Sequence, residues 1–297
     1  MSYKIVEKKK LNDVVYLMDI EAPRVAHSAK PGQFIIVIID EKGERMPLTI
    51  ADYDKERGTV TIVFQVVGFS SNKLGKLEVG DSIKDFVGPL GQPSEFIYED
   101  IDELKKKKII FIAGGVGAAP VYPQVKWLHE HGVDVDVIIG ARTKDLIIFE
   151  DKMDKVAKNL YMCTDDGSYG FHGNVTVMLD ELVTNRGMEY DQAIVIGPMI
   201  MMKFACLATK KLNIPTIVSL NTIMVDGTGM CGACRISIGD DVKFACVDGP
   251  EFDGWLVNFD EAMKRQQMFK SEEGRKTLRK QDGPTHSSPN CQIGGKH

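Results

Sequence analysis

Apolar positions in the first third of the chain come in short, evenly spaced runs. "GQFIIVII", "MPLTIADYD", "GTVTIVFQVV" and "DSIKDFVGPLG" are rich in β-branched residues and bounded by Gly, Asp and Pro. Such runs predict strands, and several at short spacing predict a small antiparallel barrel over residues 1–98. The charged stretch "YEDIDELKKKK" (98–108) predicts a linker or a short exposed helix. The rhythm then changes. "KIIFIAGG" reads as a buried strand ending in glycines, and "APVYPQVKWLHEHG" follows with helical spacing and a closing Gly132. "VDVDVIIGAR", "LYMCTDDGSYG" and "YDQAIVIGP" repeat the strand, with helical "VTVMLDELVTN" and "MIMMKFACLATKKLN" between and after them. Strands alternating with helices predict a doubly wound parallel sheet, an α/β domain over residues 109–220.

Residues 221–254 are too few for a hydrophobic core of their own, and a bound metal would compensate for that. "NFDEAMKRQQMFKSEEGRKTLRKQ" predicts a helix, with Asn258 as N-cap and Glu261 completing a capping box. The closing "DGPTHSSPNCQIGGKH" is polar and broken by Pro and Gly, so residues 255–297 read as a helix and a flexible tail.

A length of 297 residues suits two domains and an appendage. The formal net charge of −5 offers no footprint for nucleic acid or an anionic membrane. The start, "MSYKIVEKKKLND", lacks the apolar segment of a signal peptide, and no run approaches a membrane span. A cytoplasmic location is expected. Six cysteines in such a chain do not suggest disulfides. Cys163 and Cys206 read as buried small hydrophobes, whereas Cys231, Cys234 and Cys246 are clustered.

"AGGVGAAP" (113–120) places Gly115-x-Gly117-x-x-Pro120 directly after a strand and at the opening of a helix. Glycines let backbone N–H groups approach a phosphate, and the helix start adds favourable partial charge. A tight turn serving only packing is the alternative. In "TDDGS", Asp165 and Asp166 would repel a 2′-phosphate and bond ribose hydroxyls, which favours NAD(H). Arg142 in "GART" pulls the other way, and the aspartates also suit a simple turn.

"DGTGMCGACR" (226–235) carries the metal chemistry. Plant-type [2Fe–2S] sites use Cys-x4-Cys-x2-Cys and a distant fourth Cys. Cys231 and Cys234 match the middle pair, and Cys246 follows after eleven residues. Where the first cysteine belongs, five residues before Cys231, stands Asp226, whose carboxylate is able to ligate iron. A structural zinc site is the alternative, and a zinc-stabilised nucleotide-binding regulator is the corresponding function.

The motifs "ERMPLTI", "VGPLGQP", "AGGVGAAP", "TDDGSYG", "VIGP" and "MVDGTGMCGACR" together resemble the ferredoxin–NADP reductase superfamily over about residues 1–270. Within it the chain is similar to electron-transfer subunits of dihydroorotate dehydrogenase and sulfide dehydrogenase. It is more similar to small subunits of bifurcating NADH-dependent ferredoxin–NADP oxidoreductases, because Asp226 departs from the four-cysteine pattern. The resemblance implies a flavin-binding barrel. Arg45 would hold the FAD pyrophosphate, Pro47 and Leu48 the ring, and Thr49 its reactive nitrogen, with Gly68 and Ser71 as a second flavin segment. Gly197 and Pro198 would lie beside the nicotinamide. Ile196 stands where many relatives have Cys, so no thiol-assisted step is implied. The implied cofactors are FAD, NAD(H) and a [2Fe–2S] cluster on Asp226, Cys231, Cys234 and Cys246, with no catalytic acid or base. The implied partner is a larger subunit carrying FAD and [4Fe–4S] clusters, in a heterodimer that reduces ferredoxin on the partner's side.

Overall fold

A computed structural model describes residues 3–272, 274 and 275; the expected tail and Cys291 lie outside the described residues. The first unit comprises β1 (Tyr3–Lys10), β2 (Val15–Glu21), α1 (Pro23–Ser28), β3 (Phe34–Ile38), β4 (Met46–Asp54), β5 (Thr59–Gln65), α2 (Phe69–Leu74), β6 (Ser82–Ile83) and β7 (Asp85–Leu90). Its strands form a nearly closed antiparallel barrel in the order β6-β1-β2-β5-β4-β3-β7. Alternation sorts the side chains. Met18, Ile20, Ile35, Ile50, Ile62 and Phe64 fill the barrel, while Leu17, Ala51 and Val63 belong to a cluster shared with the next unit.

The linker holds α3 (Ile101–Leu104), whose N-cap Asp100 accepts from the N–H groups of Asp102 and Glu103. After it come β8 (Ile109–Gly114), α4 (Ala118–Glu130), β9 (Val135–Ala141), α5 (Glu150–Met153), β10 (Asn159–Thr164), β11 (Phe171–His172), α6 (Val175–Asp180), β12 (Gln192–Ile196), α7 (Met199–Lys211) and β13 (Thr216–Ser219). The sheet runs β11-β10-β9-β8-β12-β13 in parallel and is completed by an antiparallel strand, Glu251–Asp253, at the β13 edge. Its strands read as continuous apolar runs because both faces are covered. Phe111, Val137 and Ile139 pack on one side; Ile110, Ile112, Ile138 and Val195 pack on the other. Strand order reverses between β8 and β12, which opens a crevice at their carboxyl ends. Cys163 and Cys206 are buried, and burial pushes both thiols up to about 12.

The last elements are β14 (Arg235–Ile238), β15 (Asp241–Phe244), β16 (Glu251–Asp253) and α8 (Phe259–Arg265). Strand β16 pairs with β13 and completes the α/β sheet, while Ile236, Val257 and Phe259 join that sheet's core. The cysteine segment thus borrows its neighbour's core. Asn258 caps α8 by accepting from the Glu261 N–H at 3.1 Å. The helix spans seven residues, shorter than the sequence pattern suggests. No helix among the described residues is long and apolar enough to cross a membrane.

Glu251 stands where the units meet. Its Oε1 accepts from Ser94 Oγ and from Gln124 Nε2, both at 2.9 Å. Burial pushes its carboxyl from 4.5 up to about 7. Between those pH values the folded chain keeps a proton that the unfolded chain has released, so stability falls as pH rises through that window. Glu251→Gln keeps an acceptor without the charge. It is expected to flatten this fall when Tm is followed against pH; a parent-like slope would place the titration elsewhere.

Candidate cofactor cleft and cysteine loop

A cavity of about 1470 Å³ opens between the barrel and the carboxyl ends of β8 and β12. This exceeds the roughly 300–1,000 Å³ of a pocket for one small molecule, so the cleft has room for two. The barrel contributes Met46, Pro47, Leu48 and Thr49 from β4, with Ser71 from α2. The α/β unit contributes Gly115, Gly117, Arg142, Asp165, Gly197 and Pro198. Asn12 Nδ2 and Thr222 Oγ1 also belong to the lining residues, and both atoms are buried without a hydrogen-bond partner. Orphaned polar atoms in such a wall suit a polar ligand.

The two loop glycines differ in what they require. Gly115 has φ +56°, and a Cβ there would meet nothing within 4 Å, so its face is open to a ligand. At Gly117 a Cβ would lie 2.2 Å from the Ile196 carbonyl oxygen, so this glycine lets the helix start approach β12. The two aspartates are also distinct. Asp166 Oδ1 accepts from Ser168 N and Oγ at 3.0 and 2.6 Å, and these bonds hold its carboxyl below the usual range. Asp166 is therefore a turn residue outside the lining, whereas Asp165 faces the cleft. Gly68 and Arg45 also lie outside the lining. Ser71 Oγ accepts from Gly68 N at 2.9 Å, which ties the start of α2. The Arg45 guanidinium is directed elsewhere: Nε donates to the Val225 carbonyl and Nη2 to that of Asp226 at 3.2 Å.

The cysteine loop adopts a tight course through Gly227, Gly229 and Gly232, all at positive φ. Cys234 and Cys246 are buried with their Sγ atoms 3.3 Å apart. Burial and the adjacent thiol push Cys246 up to about 12, so a cation must displace its proton before it ligates. Cys231 is exposed. Asp226 is tied to it, accepting from Cys231 N through Oδ2 and from Thr228 N through Oδ1, both at 2.7 Å. These bonds hold the Asp226 carboxyl below the usual range. The four side chains share one loop system without converging on a single point: among the described residues, no group of three or more His, Cys, Asp or Glu is arranged around one ion. The donor set itself, three thiols and a carboxylate at this spacing, fits an iron–sulfur cluster better than a lone ion. Phe34 and Met224 line the cleft and also pack in the cluster that holds Cys234 and Cys246. One apolar wall therefore separates the cleft from the thiols.

Residues 111–207 match the oxidoreductase NAD-binding domain, and residues 221–258 match the iron–sulfur cluster binding domain of dihydroorotate dehydrogenase B. A dihydroorotate dehydrogenase B (NAD(+)) electron transfer subunit homolog of Thermotoga maritima is 44% identical over 91% of this chain and 92% of its own length. The chain belongs to the family of dihydroorotate dehydrogenase B electron-transfer subunits. An uncharacterized protein from the adh 3′ region of Clostridium beijerinckii is 67% identical over 99% of both chains. A chain from the structure of the NADH-dependent reduced ferredoxin–NADP oxidoreductase, described for flavin-based electron bifurcation, is 42% identical. It matches with a TM-score of 0.87 over 95% of this chain and 98% of that one. A ferredoxin NADP+ reductase of Neisseria gonorrhoeae with bound FAD and NADP shares the fold at 16% identity, with a TM-score of 0.57 over 71% of this chain and 90% of that one.

As a member of this electron-transfer family, the chain is an oxidoreductase component with flavin, NAD and iron–sulfur domains, and its family works within larger enzymes that contain a further subunit. Sequence reasoning missed the wall residues Phe34 and Met224, because apolar residues in a strand and a loop carry no chemical signature. It also missed Asn12 and Thr222, whose orphaned atoms are visible only after folding.

Proposed function

We propose that the chain carries electrons between NAD(H) and a larger flavin and iron–sulfur partner, through FAD and a [2Fe–2S] cluster, in a bifurcating NADH-dependent ferredoxin–NADP oxidoreductase. The observation that carries the reading is the shared wall of Phe34 and Met224, with the nucleotide cleft on one side and Cys234 and Cys246 on the other. FAD, when bound, supplies the conversion between two-electron and one-electron transfer. The protein's own residues provide position and exclusion of water. Pro47, Leu48 and Thr49 present extended backbone and an uncharged hydroxyl to the flavin side, while Gly115 and Gly117 cradle phosphate on the nucleotide side. Gly197 and Pro198 shape the floor next to Gly117. Asp226, Cys231, Cys234 and Cys246 would hold the cluster, and Arg142 and Asp165 flank the adenosine end. Asp226 in the place of a fourth cysteine, together with 42% identity and a TM-score of 0.87 to the bifurcating oxidoreductase chain, supports that partner over a dihydroorotate dehydrogenase catalytic subunit. Anaerobic purification from the native cell tests the partner. A larger subunit with its own flavin and [4Fe–4S] clusters is expected; a dihydroorotate-oxidising subunit in its place would overturn the assignment.

Nucleotide choice follows from the cleft. Asp165 faces it, and a carboxylate repels a 2′-phosphate while bonding ribose hydroxyls. NADH should bleach the flavin absorbance faster than NADPH. Asp165→Asn should narrow that preference about tenfold, the scale of one charge-assisted hydrogen bond. Asp166→Asn should leave it unchanged. Equal parent rates with both nucleotides would mean that Arg142 governs the choice.

A further inference from the structure

Two arginines hold the cysteine loop from opposite ends. Arg45, immediately before β4, donates to the carbonyls of Val225 and Asp226. Arg265, at the end of α8, donates from Nη2 to the carbonyls of Gly232 at 3.4 Å and Ala233 at 3.1 Å. Those two residues lie between Cys231 and Cys234. The Arg265 Nε is buried and has no hydrogen-bond partner. All four acceptors are neutral carbonyls, so the hydrogen bonds leave the cationic charges uncancelled. Each arginine also anchors the loop to a different body. Arg45 leads directly into Met46–Thr49, the strand segment on the cleft wall, and Arg265 ends a helix packed on the α/β core.

We propose that Arg45 and Arg265 form a two-sided clasp that keeps the cysteine loop in its ligating course and favours the reduced state of the cluster it holds. The proposal rests on the reading that residues 221–258 bind an iron–sulfur cluster. Partners that orient metal ligands matter nearly as much as the ligands, since a loop free to relax releases its metal. Reduction adds negative charge to a site already formed by anionic ligands, so a nearby cation favours it. Arg45 is exposed and its charge is screened by solvent; its part is mainly geometric. Arg265 is half-buried and bonded to the two residues between Cys231 and Cys234, and acts on both geometry and potential.

The experiment uses the full chain prepared without oxygen, as parent, Arg45→Gln, Arg265→Gln, Arg45→Lys and Arg265→Lys. Iron, sulfide and flavin per chain, the rate of iron release to a chelator, and the cluster's midpoint potential are measured. Flavin per chain should stay at the parent level in all four, which also shows that they fold. Each Gln variant should lose iron about tenfold faster, the low end of the effect of removing a ligand-orienting partner. Arg265→Gln should shift the potential to more negative values, and Arg265→Lys should restore the potential but not the slow release, because an ammonium replaces the charge without the planar fork. Parent-like release and potential in both Gln variants would overturn the clasp. So would loss of flavin with retention of iron in Arg45→Gln, which would return that arginine to the flavin. A parent that binds no iron would overturn the cluster reading, and the clasp with it.

Discussion

Asp226→Ala is expected to strip the iron from the chain while leaving the flavin in place. The substitution removes the carboxylate proposed as the fourth ligand, together with the two bonds it makes to Thr228 N and Cys231 N. Cys231 is exposed and depends on that second bond for its course, so ligand and scaffold are lost together. Asp226→Cys separates the two roles. A thiolate restores a plant-type set of four cysteines, so a cluster should be retained, with its potential and electron paramagnetic resonance spectrum displaced from those of the parent. The carboxylate's present hydrogen bonds do not exclude ligation, because each oxygen has a further lone pair. Iron content, visible spectrum and potential identical to the parent in both variants would make Asp226 a turn residue only.

The second large effect is expected at Gly117. A methyl group there would sit 2.2 Å from the Ile196 carbonyl oxygen and 3.0 Å from Gly197 Cα, so the phosphate loop and the floor beside it cannot both keep their places. A displacement of this size at a hydride-transfer site costs on the order of a hundredfold in rate. Gly117→Ala should therefore reduce flavin bleaching by NADH about a hundredfold, with flavin content unchanged because Pro47, Leu48 and Thr49 are untouched. Gly115→Ala acts differently: its methyl meets no protein atom but enters the face open to the phosphate, at a positive φ, so it should raise the NADH concentration needed for half-maximal bleaching without displacing Ile196 or Gly197. Parent rates in Gly117→Ala would mean that the nucleotide does not bind at this loop.

Periodicity and spacing along the chain determined a great deal. The short β-branched runs made the barrel, and the strand–helix alternation made the parallel sheet, because burial on one or both faces writes itself directly into residue order. "AGGVGAAP" and "MCGAC" were legible for a similar reason: their chemistry depends on residues a few positions apart. Features that depend on distant partners needed the tertiary structure. Arg45 reads as a flavin ligand beside "MPLT", yet its guanidinium reaches carbonyls 180 and 181 residues away. Asp165 and Asp166 are adjacent and chemically alike, and only the path of the turn sends one to the cleft and the other back to Ser168. The span 221–254 reads as a small module by length, but β16 within it pairs with β13, since edge pairing is set by which strand end lies open in space. Phe34 and Met224 acquire their place between cleft and thiols in the same way. Local order encodes local hydrogen bonding and burial; which surfaces then meet is decided by how the packed units close on one another.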